Sequence, residues 1–128
     1  MNVKDIYEHF LNIAKKAQSD DIALSIEDID STLKFGDIVF FDIIKCRDKN
    51  DMFASFKESV NMTDDRYCTD EAKAILINFH IDTDIPIKEI TKIVDFVDES
   101  ADEDANLLWT TTSRSQSEDI EISFLVVR

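Results

Sequence analysis

Apolar residues recur at helical spacing over residues 3–18, where Val3, Ile6, Phe10, Ile13, Ala14 and Ala17 share one face. This predicts an amphipathic helix, with Asn2 placed to cap it and Asp5 in its first turn. His9 falls off the stripe and is expected at the surface. In the next stretch, ALSIEDIDSTLKFG, Ser25 precedes Ile26, Ile29 and Leu33, a shorter helical pattern, and Gly36 follows as a C′ stop. The period then changes. DIVFFDIIKC, residues 37–46, is too β-branched and aromatic for a surface helix and reads as a strand covered on both faces. Helical spacing returns from Asn50 to Met62, with Met52, Phe53, Phe56 and Val60 inward, and residues 63–71 are a polar loop. AKAILINFHI, residues 72–81, is a second buried strand. After DTDIP, Pro86 suits a helix start, and Ile90, Ile93, Val94 and Val97 form that helix's inward stripe. Its end runs into the acidic DESADEDA, residues 98–105, read as a solvated helix end and loop. Two strands finish the chain, ANLLWTTT from Ala105 and DIEISFLVVR, joined by a hairpin-like SRSQSED. The order is α-α-β-α-β-α-β-β, without an internal repeat or a linker that divides it.

Composition narrows the function. A chain of 128 residues is one domain's worth, 1–128, and its 44% apolar content with nine Phe supplies a core. The net charge of −14 repels phosphate backbones and anionic lipid, so neither nucleic acid nor a membrane surface is an expected partner; a basic protein surface or a divalent cation suits it better. No apolar run approaches the roughly 18 residues that span a bilayer. Residues 1–17 carry acids and a helical stripe rather than a basic region followed by an apolar one. The expected setting is therefore the cytoplasm, with Cys46 and Cys68 as reduced, buried thiols.

Candidate chemistry is sparse. Glu27, Asp28 and Asp30 crowd into four residues and could attract a metal. Ser25 with Asp28 also fits the S-x-x-[DE] capping box, which explains both without chemistry; Glu27 and Asp30 then favour the positive helix N-terminus. His80, Asp82 and Asp84 form H-x-D-x-D, a possible cation site lacking a second His or Cys nearby. A strand-end histidine meeting a neighbouring carboxylate is the simpler reading. Trp109 reads as core. TTTSRS, residues 110–115, sets hydroxyls beside Arg114, where a phosphate could sit, though hairpin solubility also accounts for it. No nucleophile–base or metalloprotease motif is present.

Four blocks in order resemble the C-terminal domain of the FtsZ branch of the tubulin superfamily. AKAILINF (72–79) is similar to that family's A-[RK]-G-V-L-[VI]-N-[IF], and DIPIKEI (84–90) to D-L-T-L-x-E-V. ANLLWT, from Ala105, is similar to A-N-I-I-F-G, and EDIEISFLV (118–126) to D-E-I-R-V-T-V-I-A. With weaker matches upstream the resemblance covers residues 22–128, and the helix at 3–18 would be the lower part of the family's central helix. Two block glycines are replaced, by Ala74 and Thr110. In the family, N-V-D-F-A-D-V is a loop that enters the next subunit's nucleotide site and positions the attacking water. Here Ser25 stands at its first Asp, Asp28 at its second and Ala23 at its Asn, and Gly36 comes about one residue early. The family's GTP site lies in a separate domain with a glycine-rich phosphate loop. This chain has one glycine and nothing similar to that domain. The resemblance stops at the family's last strand and does not extend to its linker and terminal peptide.

The resemblance implies an α+β fold: a mixed sheet of about four strands with two helices packed on one face and the N-terminal helices alongside. It implies a non-enzymatic protein-interaction module without a cofactor, docking through Ser25, Glu27, Asp28 and Asp30 on an FtsZ-type nucleotide domain and capping or modulating its filament. The alternatives are a self-assembling homo-oligomer, motivated by apolar sheet faces, and a small cation-dependent enzyme built on His80, Asp82 and Asp84.

Overall fold

The computed structural model describes residues 2–19, 21–62, 71–82, 87–101, 103–115 and 117–128. Four helices, α1 (Val3–Lys16), α2 (Ile26–Lys34), α3 (Met52–Met62) and α4 (Ile87–Ser100), accompany four strands, β1 (Ile38–Cys46), β2 (Ala74–Ile81), β3 (Asn106–Ser113) and β4 (Ile120–Val127). This is the expected α+β order. Pro86 and Cys68 lie outside the described residues.

The strands form one mixed sheet in the order β1-β4-β2-β3. β4 runs antiparallel to both β1 and β2, while β2 and β3 are parallel and joined through α4. β3 and β4 are therefore not hairpin partners. The segment between them passes the end of β2, correcting the hairpin reading of SRSQSED. That reading followed sequence adjacency, whereas β4 pairs along one edge with β1 and along the other with β2.

Period-two alternation divides the core in two. Ile75, Ile77, Phe79 and Ile81 of β2 and Ile120, Ile122, Phe124 and Val126 of β4 meet Met52, Phe56 and Val60 of α3 and Ile90, Ile93 and Val97 of α4. Ala74 and Leu76 of β2 and Leu125 and Val127 of β4 point the other way, against Ile6, Phe10 and Ile13 of α1 and Ile29 of α2. Two helices cover one face as expected, and the N-terminal pair closes the other. A strand covered twice needs apolar residues at both parities, as β2 has from Ala74 to Ile77 and β4 from Phe124 to Val127. β1, expected from its sequence to be covered on both faces, is instead an edge strand and mostly half-buried. Each fully buried large side chain contributes about 1.5–3 kcal/mol.

Local chemistry fixes the ends of the elements. Asn2 caps α1, its side chain accepting from the Asp5 N–H at 2.9 Å. Glu89 of α4 accepts from the Phe53 N–H at 3.3 Å, tying α4 to the start of α3. At the sheet edge, the Ile43 N–H donates to its neighbour Asp42 at 2.8 Å, occupying a group that a further strand would need. Cys46 is a buried free thiol, and burial pushes its pKa up to about 11. It behaves as a small hydrophobe, as expected. Trp109 packs edge-on to Phe79, with centroids 6.0 Å apart, and so joins the core. Among the described residues, no helix is long and apolar enough to cross a membrane.

Candidate functional site: the capped segment and the polar half of the sheet

The acidic segment lies at the turn from α1 into α2. Ser25 has extended backbone and caps α2: its Oγ accepts from the Asp28 N–H at 3.1 Å, and Asp28 Oδ2 accepts from the Ser25 N–H at 3.1 Å. The capping box read from the sequence is thus formed. Glu27 is exposed in the first turn, beside the positive helix end. Asp30 lies against the Tyr7 phenol, whose pKa is raised by desolvation, by the Asp30 charge and by a hydrogen bond to its carboxylate. The four candidate residues therefore lie within the cap and the first turn and a half of α2, but three of them have internal partners. Among the described residues no group of three His, Cys, Asp or Glu is arranged to hold a metal ion. Ser25→Ala should destabilise the protein by about 1 kcal/mol, as loss of an N-cap does. Asp28→Asn should cost less, because an amide oxygen still accepts from the Ser25 N–H. Urea unfolding of the two variants checks the ranking.

Upstream, the chain is pinned to the β3 edge. The Ile22 N–H donates to Thr111 Oγ1 at 2.8 Å, and the Thr111 N–H donates to the Ile22 carbonyl at 2.9 Å. Asp21 accepts from the Ser113 N–H at 3.2 Å, the Ser113 hydroxyl at 3.1 Å and the Gln18 N–H at 2.8 Å. The sequence pattern did not disclose this clasp, since it requires the β3 edge to lie beside residues 21–22.

The sheet face beneath α1 changes character along its length. Ala74 and Leu76 give way on β2 to Asn78 and His80; Leu108 gives way on β3 to Thr110 and Thr112; Val127 and Leu125 give way on β4 to Ser123 and Glu121. In the polar half, Thr110 Oγ1 donates to Asn78 Oδ1 at 2.8 Å, and Asn78 Nδ2 donates to Thr112 Oγ1 at 3.1 Å. Thr112 Oγ1 is 2.8 Å from His80 Nδ1, and His80 Nε2 is 3.3 Å from Glu118 Oε1. Thr112 Oγ1 thus accepts from Asn78 and shares a second hydrogen bond with His80, whose Nε2 faces Glu118. The strand-end histidine does meet a carboxylate, and it is Glu118. The Ser115 N–H and the nearby His80 hold the Glu118 carboxyl below the usual carboxylate range. Asp82 instead pairs both carboxylate oxygens with Arg114, at 2.9 Å each. Two members of the H-x-D-x-D motif thus have separate partners, and Asp84 lies outside the described residues. Thr110, standing where the resembled pattern has glycine, supplies the first hydroxyl of the chain.

α1 roofs this half over a polar cavity of about 130 Å³ whose lining includes Asn12, Lys16 and Glu121. His9 is half-buried there rather than exposed. Its Nε2 lies 2.8 Å from Ser123 Oγ, and its ring stands edge-on to Phe10 and Phe41. Desolvation, then the Lys16 charge, lowers its pKa below 6.5. The unfolded chain therefore binds more protons than the folded one as pH falls through the ordinary histidine range, and stability drops. Wild-type protein should lose stability between about pH 7 and about pH 5, and His9→Gln should flatten that slope. Unfolding midpoints measured across this range decide it; parallel slopes count against a lowered His9 pKa.

This arrangement defines an α+β domain with a sheet held between two helix pairs and an ordered acidic segment at the surface. The fold is that of the C-terminal domain of FtsZ. An empty FtsZ dimer structure from M. jannaschii superposes with a TM-score of 0.61 at 19% identity, covering 100% of this chain and 40% of that one. The W319Y mutant of M. jannaschii FtsZ gives 0.62 at 18% identity, covering 99% and 41%. The chain thus spans about two-fifths of the length of these structures. No family model and no curated protein matches it.

Proposed function

We propose that this chain is a non-enzymatic interaction module that docks through residues 22–30 on an FtsZ-type nucleotide domain and caps or modulates its filament. The observation that carries this reading is the FtsZ C-terminal-domain-like fold across the chain, coupled to an ordered, solvent-facing segment at 22–30. Ser25 occupies the place of the first acid of the resembled catalytic loop and is committed to a cap, which favours docking over hydrolysis. His80 and Asp82, two of the three residues of the cation-dependent alternative, are engaged with Glu118 and Arg114. The apolar sheet faces that motivated self-assembly are covered by helices. Pull-down and sedimentation with the FtsZ of the encoding organism test the proposal. Association, with altered polymer mass at excess protein, is expected; neither effect appearing would sink it.

A further inference from the structure

We infer that Ile22 and Ile26 are the contact anchors of this segment, and that the surface they fit is a protein pocket of apolar floor and Lys/Arg rim. This rests on the docking role proposed for residues 22–30 and names what carries it.

Ile22 is 49% exposed and Ile26 51%, so two of the six exposed large apolar side chains among the described residues fall within five residues. Neighbouring Leu24 and Ile29 are buried at 3% and 0%, so the segment had apolar contacts within reach and still turns these two outward. Their backbone is fixed. Ile22 is held on both sides by Thr111, and Asp21 before it is fastened to Ser113. Ile26 is the first residue of a helix closed by the reciprocal Ser25–Asp28 cap. Side chains presented on a pre-ordered backbone lose little conformational entropy on binding, as interface anchors require.

Charge selects the partner. Between Lys16 and Lys34 the sequence has no Lys or Arg and carries Asp20, Asp21, Glu27, Asp28 and Asp30. A basic rim complements this field, which repels an anionic surface. Asp21, Asp28 and Asp30 already have internal hydrogen bonds, so the acids steer approach while the isoleucines anchor.

The full chain, labelled at its isoleucine methyls, is titrated with a short amphipathic Leu/Lys peptide and, separately, with oligolysine of equal charge. The Ile22 and Ile26 methyls should shift at about fivefold lower peptide concentration than Ile87, the most exposed isoleucine among the described residues at 66%. Oligolysine should leave them in place. The double variant Ile22→Ser/Ile26→Ser, its fold checked by an unchanged amide spectrum elsewhere, should bind the peptide at least about tenfold more weakly. Equal shifts at Ile87, no methyl shifts, or unchanged affinity of the double variant overturns the inference. If the peptide selects these methyls while FtsZ does not sediment with the chain, the anchors stand and the filament reading falls.

Discussion

Phe124→Ala is expected to destabilise the protein by about 3–5 kcal/mol. Phe124 is fully buried on β4, a central strand. Its ring lies 5.1 Å from Phe56 of α3, nearly perpendicular, and 5.8 Å from Phe40 of β1. Phe56 continues to Phe96 of α4 at 6.2 Å, and Phe96 to Phe53 at 6.0 Å. One row of rings thus joins β1, β4, α3 and α4, and Phe124 is its link between sheet and helices. Truncation leaves a void that cannot readily close, because β4 is hydrogen-bonded along both edges. The void loses dispersion contacts as well as transfer free energy. At roughly 3–5 °C per kcal/mol for this chain length, Tm should fall by about 10–20 °C. The urea midpoint should fall with an unchanged slope, the mark of lost stability rather than a changed unfolded state. A loss below about 1.5 kcal/mol would mean that α3 and α4 can close over the site.

Much of this core was legible because its signal is local. Met52, Phe56 and Val60 keep helical spacing, and β2 is apolar at both parities from Ala74 to Ile77, so helices on two faces follow from covering that strand. The cap at Ser25 was also legible, since a capping box is written within four residues. Pairings between distant segments were not. That β4 sits between β1 and β2 depends on non-local register, and sequence adjacency suggested a hairpin instead. His9 looked exposed because a helical wheel ranks it against α1 alone, whereas Ser123 and Phe41 reach it from the sheet. The Asn78–Thr112–His80 chain leaves only a faint trace, a shift from apolar to polar at one parity of each strand. That shift gains meaning only once β2, β3 and β4 are aligned. Asp30 shows the same limit: as a sequence feature it joins an acidic cluster, and in the fold it receives Tyr7.

Gly36→Ala should cost roughly 2–4 kcal/mol, although a glycine that merely ends a helix tolerates alanine at less expense. The sequence placed Gly36 as the C′ stop of α2, where glycine is favoured for a left-handed backbone. In the fold its backbone is not in that region, and the need for glycine is spatial. A Cβ built on Gly36 would collide with the carbonyl oxygen and carbon of Arg128, backbone atoms rather than a pliable side-chain tip. Those atoms cannot yield freely. The Asp37 N–H donates to the Arg128 carbonyl, and the Arg128 N–H donates to the Asp37 carbonyl, both at 2.9 Å, next to the Ile38–Val127 pair. Alanine must therefore displace the end of β4 or break these two hydrogen bonds, each worth about 1 kcal/mol net. Hydrogen exchange separates the effect from general weakening. The amides of Asp37 and Arg128 should lose protection in Gly36→Ala more than those at the centre of β4. Stability within about 0.5 kcal/mol of wild type, with both amides still protected, would return Gly36 to the role of an ordinary helix stop. The cost predicted here instead assigns it to the junction where α2 hands the chain to β1 beside the end of β4.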